Sequence, residues 1–349
     1  VQKIKITDSN CVGRDFKEML TYGDAVYSSC YIPPVKKIGI TVSAIFFVVL
    51  FFCTAQGKST SPTASTENVA AMVPAHVLQL PESVAEVLIA DAKTSTLYRF
   101  GRTTSGIVKI DQRYMSIGRN GVGKEKAWDR KTPLGIYFIT EKLDTSNLHD
   151  KYGVAAYPLD YPNAWDRYNQ RTGDGIWLHG VSRNSDVMRP PRDTDGCLAL
   201  PNDELLSLMG ALKPLVTPVI VARELKWATP SDLENIRIEL HIALQMWRQS
   251  LEEGDWLTHL SLYSDEFRHH GMNKDAWASY RLGVFDTKNF ESVNFKNMVL
   301  LADPEELGLY LSRFTQELVA DGEKITLTKR LYWKHREDNL WQIVAEDSG

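Results

Sequence analysis

The sequence predicts a multidomain protein, in which a β-rich domain precedes an α+β domain and both follow an apolar export or anchor segment. Three observations carry this expectation. Short strand-like windows separated by polar turns run from Glu86 to Leu225. At Lys226–Pro230 the composition shifts into a helical apolar pattern with a start signal. The final residues alternate apolar and polar with the period of a strand. The expected boundaries are 1–34 for a gene-model extension or disordered leader, 35–55 for a signal peptide or membrane anchor, 56–80 for a flexible linker, 81–226 for the β-rich domain and 227–349 for the α+β domain.

Each segment has its own reason. Lys36 and Lys37 precede an uncharged run from Ile38 to Ala55, which has the basic, apolar and small-residue order of an export signal. The run is also long enough to cross a bilayer as an uncleaved anchor. Either reading places the rest of the chain outside the cytoplasm, in the periplasm, with membrane contact only through this segment. Since a signal opens a protein and Val35 fits a start, residues 1–34 are expected to lie outside the natural product. The Ser-, Thr-, Ala- and Pro-rich stretch after Gln56 reads as a tether. Glu86–Phe100 reads as two strands about a polar turn, with further strands at Gly135–Thr140 and Pro218–Leu225.

In the second domain Ser231 and Glu234 have the spacing of a capping box. Behind them Leu233, Ile236, Leu240, Ala243, Leu244, Trp247 and Leu251 recur at helical intervals until Gly254. Ile325, Leu327, Lys329, Leu331 and Trp333 then alternate with polar neighbours, and a polar turn at Glu337–Asn339 leads to a last apolar strand. One or two helices and a curved antiparallel sheet form an α+β unit, expected to bury its own core and to be separable.

The bulk numbers exclude little. Of 349 residues 43% are hydrophobic and 24% charged, with a net charge of −4, so no basic excess points to nucleic acid. Gly118–Lys124 has the frame of a phosphate-binding loop. However, Glu125 stands where a metal-holding hydroxyl is needed and Pro133 blocks a following helix, so it reads as a loop between strands.

The chemistry centres on a thiol. Of the four cysteines, Cys11 and Cys30 precede the export segment, Cys53 lies within it, and only Cys197 remains after processing. Cys197 therefore has no intramolecular disulfide partner, and no neighbours at ligand spacing make it a metal site. No metal or cofactor is expected. A nucleophilic thiol needs a base within reach. The β-rich domain holds two histidines, His149 in a polar loop and His179 at the end of a strand-like run, Gly175–Gly180. His149 reads as a solvated loop residue, leaving His179 as the candidate base.

The segment from Trp177 to Asp203 resembles the active-site segment of the L,D-transpeptidase (YkuD-domain) family, in which a His-Gly pair precedes a Ser/Thr-His-Gly-Cys motif. His179-Gly180 and Thr194-x-Gly196-Cys197-Leu198 match in order and spacing, and Asp129–Ile139 resembles the block before the site. Two positions depart: Asp195 replaces the usual second histidine, and Ala199 a polar residue. The resemblance implies that Cys197 is the nucleophile, His179 the base and the Gly180 carbonyl the group that orients the imidazole. Backbone N–H groups of Gly196 and Cys197 would hold the oxyanion, with glycine at 196 sparing the approaching substrate a side chain. Arg189, Arg192, Thr194 and Asp195 are expected to contact substrate.

The last domain resembles the ketosteroid-isomerase-like (SnoaL-like) cone, in which Trp247, Trp256, Trp333 and Trp341 would be core while Lys329, Arg330 and Glu346 would line a pocket. The combination is similar to Gram-negative murein L,D-transpeptidases and cell-shape L,D-carboxypeptidases. It implies a cysteine acyltransferase acting on stem tetrapeptides of peptidoglycan, with an L,D-carboxypeptidase that trims tetrapeptide to tripeptide as the alternative. A wall-binding protein without catalysis is the third reading, and a glycan or protein is the partner expected for the cone.

Overall fold

The computed structural model describes residues 72–183, 189–285, 287–336 and 340–349, so the expected export segment and the residues before it lie outside the described residues. Among the described residues no helix is long and apolar enough to cross a membrane. The chain opens with β1 (Val73–Pro74) and β2 (Val77–Gln79), then forms β3 (Glu86–Asp91), β4 (Thr96–Thr103), β5 (Gly106–Tyr114), β6 (Ile117–Gly118), β7 (Gly135–Phe138) and β8 (Ala156–Pro158). Helix α1 (Ala164–Tyr168), β9 (Trp177–His179), β10 (Arg192–Thr194), β11 (Leu198–Ala199), α2 (Asn202–Leu208), β12 (Pro218–Ala222) and β13 (Trp227–Ala228) complete the first half. The second half has α3 (Pro230–Glu252), α4 (Trp256–Ser261), β14 (Tyr263–His269), β15 (Met272–Asn273) and α5 (Lys274–Phe285). It ends with β16 (Phe290–Ala302), β17 (Leu309–Ala320), β18 (Glu323–His335) and β19 (Trp341–Asp347).

A mixed sheet of order β5-β4-β3-β12-β7 forms the centre of the first half, with β12 parallel to β3. Its strand β3 is a continuous apolar run because both of its faces are buried. Leu88 and Ala90 pack toward the layer that carries β9 and β11, while Val87 and Ile89 pack the other way. On that second face they meet Val299, Leu301, Leu309, Leu311, Tyr332 and Val344 of the second half. The two halves therefore share one hydrophobic layer. Each half also packs a cluster of its own, so the separability expected of the second domain turns on how much this shared layer contributes.

The second half is a cone: α3 and its neighbours lie on a seven-stranded sheet of order β15-β14-β19-β18-β17-β16-β2. Trp247, Trp277, Trp333 and Phe314 fill the space between helix and sheet. Trp256 and Trp341 are only partly buried. The strand at the sheet edge, β2, comes from the region expected to be linker. β1 likewise pairs with β13, so the flexible tether does not extend through residue 80. Val77, Leu78 and Leu80 are buried there, and apolar burial holds the chain down.

Helix α3 begins one frame earlier than expected. Thr229 is the N-cap, its side chain accepting from the Asp232 N–H while Asp232 reaches back, with Pro230 in the first turn. Proline suits that position because its missing N–H would have no helical partner. Ser231 and Glu234 do not form the box; Glu234 instead pairs with Arg237.

The expected pocket of Lys329, Arg330 and Glu346 is also corrected. Successive residues of β18 face opposite sides of the sheet. Lys329 is 2.9 Å from Glu346 inside the cone, whereas Arg330 points to the shared layer. Arg330 donates from Nε to Asp347 at 2.6 Å and from Nη1 to Asp160 of the first half. Arg167 of α1 adds a 3.3 Å contact to Asp347. Arg330, Asp347 and Asp160 thus join the halves through a largely buried ionic network, while Glu346 and Arg167 line a small cavity between α1 and β14.

Candidate active site

The small sheet β11-β9-β8 builds the site. β11 runs parallel to β9, with Leu198 opposite Leu178 and Ala199 opposite His179. Cys197 is two residues before Ala199, so strand alternation puts it on the face that His179 occupies, one step along the neighbouring strand. Both line a cleft of about 690 Å³, together with Tyr152, Gly175, Arg189 and Asp195 among others. Ala199, opposite the imidazole, is small and buried.

His179 is buried, and its Nδ1 lies 2.6 Å from the Gly180 carbonyl. A carbonyl accepts only, so Nδ1 carries the proton and Nε2 keeps its lone pair. The ring of Tyr152 meets the imidazole edge-on at 5.2 Å. Burial lowers the His179 pKa to about 4, against a smaller opposing effect of the Gly180 bond. Burial likewise raises that of the Cys197 thiol to about 11. Near neutral pH both groups are uncharged. The thiol donates to the Gly175 carbonyl at 3.4 Å rather than to His179. Such a bond is readily exchanged when substrate enters, and catalytic hydrogen bonds commonly tighten only then.

The loop before the thiol is held from within. Thr194 Oγ1 donates to the Cys197 carbonyl at 2.8 Å and accepts from the Gly196 N–H at 3.1 Å. The Thr194 hydroxyl is thus bonded within the loop where it lines the cleft, and the Gly196 N–H bonds that hydroxyl, so the Cys197 N–H is the candidate oxyanion donor. Glycine at 196 is required for a different reason from the one expected. Its φ is +128°, and a Cβ there would sit 2.8 Å from the Lys131 carbonyl, so the chain itself excludes a side chain.

Gly180 is under a similar constraint: a Cβ would lie 2.3 Å from Asn202 Oδ1. Asn202 accepts from Val181 N–H at 3.1 Å and Val154 N–H at 3.3 Å, and donates to the Val181 carbonyl at 2.9 Å. It therefore fixes the backbone whose carbonyl turns His179. Asn202, the first residue of α2, is not among the site residues expected from the sequence.

Of the residues expected to meet substrate, Arg189, Thr194 and Asp195 line the cleft and Arg192 does not. Arg192 is exposed, with its guanidinium near Gly121. Arg189 bonds the Asp193 carbonyl at 3.0 Å. Asp195 lies 3.5 Å from Arg119 and 3.8 Å from Arg130, two cleft residues that sequence reasoning missed because they come from a distant loop. His149 caps a short turn by accepting from the Lys151 N–H, away from the thiol. Among the described residues no cluster of His, Cys, Asp and Glu could hold a metal ion.

Comparison with known proteins bears on both halves. Residues 84–221 match the L,D-transpeptidase catalytic domain, and residues 239–347 match the Cds6 C-terminal NTF2-like domain. No curated protein matched. Among solved structures, Bd1075 of Bdellovibrio bacteriovorus is 26% identical, with a TM-score of 0.66 over 80% of this chain and 98% of its own. The helical cell shape determining protein Pgp2 of Campylobacter jejuni is 21% identical, with a TM-score of 0.63 over 81% of this chain and 96% of its own. Residues 84–221 thus carry a domain of the L,D-transpeptidase (YkuD) catalytic kind, and residues 239–347 one of the NTF2-like kind.

Proposed function

We propose that the protein is a periplasmic cysteine acyltransferase that opens stem tetrapeptides of peptidoglycan through a thioester on Cys197. The observation that carries the reading is the shared face of His179 and Cys197, with the imidazole turned by Gly180 so that Nε2 is the free base. In the first step the Cys197 thiol gives its proton to His179 Nε2 while sulfur attacks the carbonyl of the residue before the terminal D-amino acid. The Cys197 N–H supports the oxyanion, a contribution of about 3 kcal/mol for a well-placed donor. Collapse breaks the peptide bond, and His179 returns the proton to the departing amine. An acceptor amine or water then attacks the thioester, loses a proton to His179, and frees the thiol.

Attack by an amine makes a cross-link and the enzyme an L,D-transpeptidase. Attack by water trims tetrapeptide to tripeptide, which is L,D-carboxypeptidase activity. The second outcome is favoured by the two-domain match to a structure described as a helical cell shape determining protein. The export-like segment at 35–55 supports the periplasmic setting.

Incubation of the exported portion with disaccharide tetrapeptide, followed by mass spectrometry, tests the reading. Dimers identify transfer and tripeptides identify trimming. Unchanged substrate would leave a wall-binding role, and equal products from Cys197→Ser would remove Cys197 as the nucleophile.

A further inference from the structure

The loop first noticed as a false phosphate-binding motif has a use of its own. It carries Trp128, which lines the cleft of Cys197 yet is 95% exposed. Exposure this high leaves the indole open to a ligand in the cleft. The loop that holds it is rigid. Asp129 is the hub, accepting from Lys124 Nζ at 2.8 Å and from the N–H groups of Glu125, Lys126 and Lys131. The Lys124–Asp129 pair is almost wholly buried. Asn120 bonds the Asp129 carbonyl at 2.8 Å, and Thr172 ties the loop to the segment leading to Gly175.

Backbone strain flanks that hub. Trp128 has φ +65° and Arg130 φ +57°, both in the left-handed region that non-glycine residues seldom occupy. Such strain persists only where surrounding bonds impose it, and it concentrates at ligand sites. Here the bonds place an indole face at the mouth of the cleft, beside the Arg119–Asp195–Arg130 cluster.

Given the function proposed above, on which this inference rests, we infer that Trp128 forms a subsite for the sugar ring that carries the stem peptide. An indole face stacks on the C–H face of a pyranose, while neighbouring guanidinium and carboxylate groups suit the hydroxyls at its edge. The cleft then takes the peptide and its rim takes the glycan, which makes Trp128 a specificity-determining residue outside the reaction itself.

The test compares free tetrapeptide with disaccharide tetrapeptide. Wild-type protein is expected to have the lower KM for the disaccharide form. In Trp128→Ala that preference, taken as a ratio of KM values, falls about tenfold with little change in the kcat ratio, and Trp128→Phe restores most of it. In parallel, Cys197→Ala protein is titrated with both ligands by tryptophan fluorescence, with and without Trp128→Phe. A saturable change that needs both the sugar and Trp128 supports the subsite. An unaltered KM ratio together with no Trp128-dependent signal overturns it. If wild-type protein converts neither substrate, the proposed chemistry fails, and the fluorescence titration still decides the subsite.

Discussion

Around Cys197, bonding capacity is left over: His179 commits one ring nitrogen to Gly180 and keeps the other for the cleft, while the thiol has a long contact to the Gly175 carbonyl and a backbone bond at Trp177. Inside the cone the reverse holds. Glu346 accepts from Lys329 at 2.9 Å and from Tyr263 at 3.2 Å, and Trp247 in turn donates to the Tyr263 hydroxyl at 2.9 Å. Burial opposes the charge on Glu346, but Lys329 foremost, then His269 and Arg281, hold its pKa down at about 2. The Cys197 site holds buried neutral groups that can still form bonds; the Glu346 cluster holds a buried charge whose bonds are made. Reactivity belongs to the first arrangement and structural support to the second, and an apolar layer built from both halves joins them.

The most severe way to break this pairing is to remove the cone. Deleting residues 227–349 exposes the face of the central sheet that carries Val87, Ile89, Ile136, Phe138 and Ile220. The remaining chain is expected to lose cooperative unfolding by circular dichroism. A truncated protein that melts sharply and still converts muropeptide would show that the first half closes its own core.

His179→Ala tests the reactive half. Loss of a general base costs about 10²- to 10⁴-fold. The variant is expected to lose that much kcat/KM while its melting temperature changes little, and a fall of under threefold would contradict the role given to the imidazole.

The joint between halves is sharpened by Arg330→Met. It removes the guanidinium that bridges Asp160 and Asp347 and leaves buried carboxylates underpaired. The expected cost is about 3 kcal/mol in urea unfolding. A loss below about 1 kcal/mol would mean that Arg167 and solvent satisfy Asp347 without it.

The smallest effect is in pH dependence. Burial raises the Cys197 pKa to about 11, and only the thiolate reacts with iodoacetamide. Labelling of the free enzyme should therefore climb with pH through the neutral range and level off only near 11. A thiolate–imidazolium pair would instead give a rate already flat at pH 7. His179, lowered to about 4, should remain a neutral base down to mildly acid pH.

Much of the site was legible because it is local in sequence. His179 ends β9 and Cys197 immediately precedes β11, its parallel neighbour, so residue order alone brings the two motifs together. What the sequence concealed depends on distant backbone. Gly196 answers to the Lys131 carbonyl, and Gly180 to Asn202, contacts with no periodic signal. Trp128, Arg119 and Arg130 enter the cleft from a loop that looked like ordinary turn chemistry. In the fold, β3 was readable as a strand, but its unbroken apolar run carried more meaning than was taken from it: burial on both faces, hence a partner layer on each. For α3, Pro230 should have chosen Thr229 over Ser231 as the cap, because proline favours the first helical position.

The central claim is that Cys197 carries the acyl group. It is tested most directly by rapid acid quenching of the enzyme with disaccharide tetrapeptide, then mass spectrometry of the intact protein and of the peptide containing residue 197. The account predicts a transient adduct equal in mass to the substrate less its terminal D-amino acid, located on Cys197 and absent from Cys197→Ala. Product formation with no adduct on Cys197, or an adduct that survives in Cys197→Ala, would contradict it.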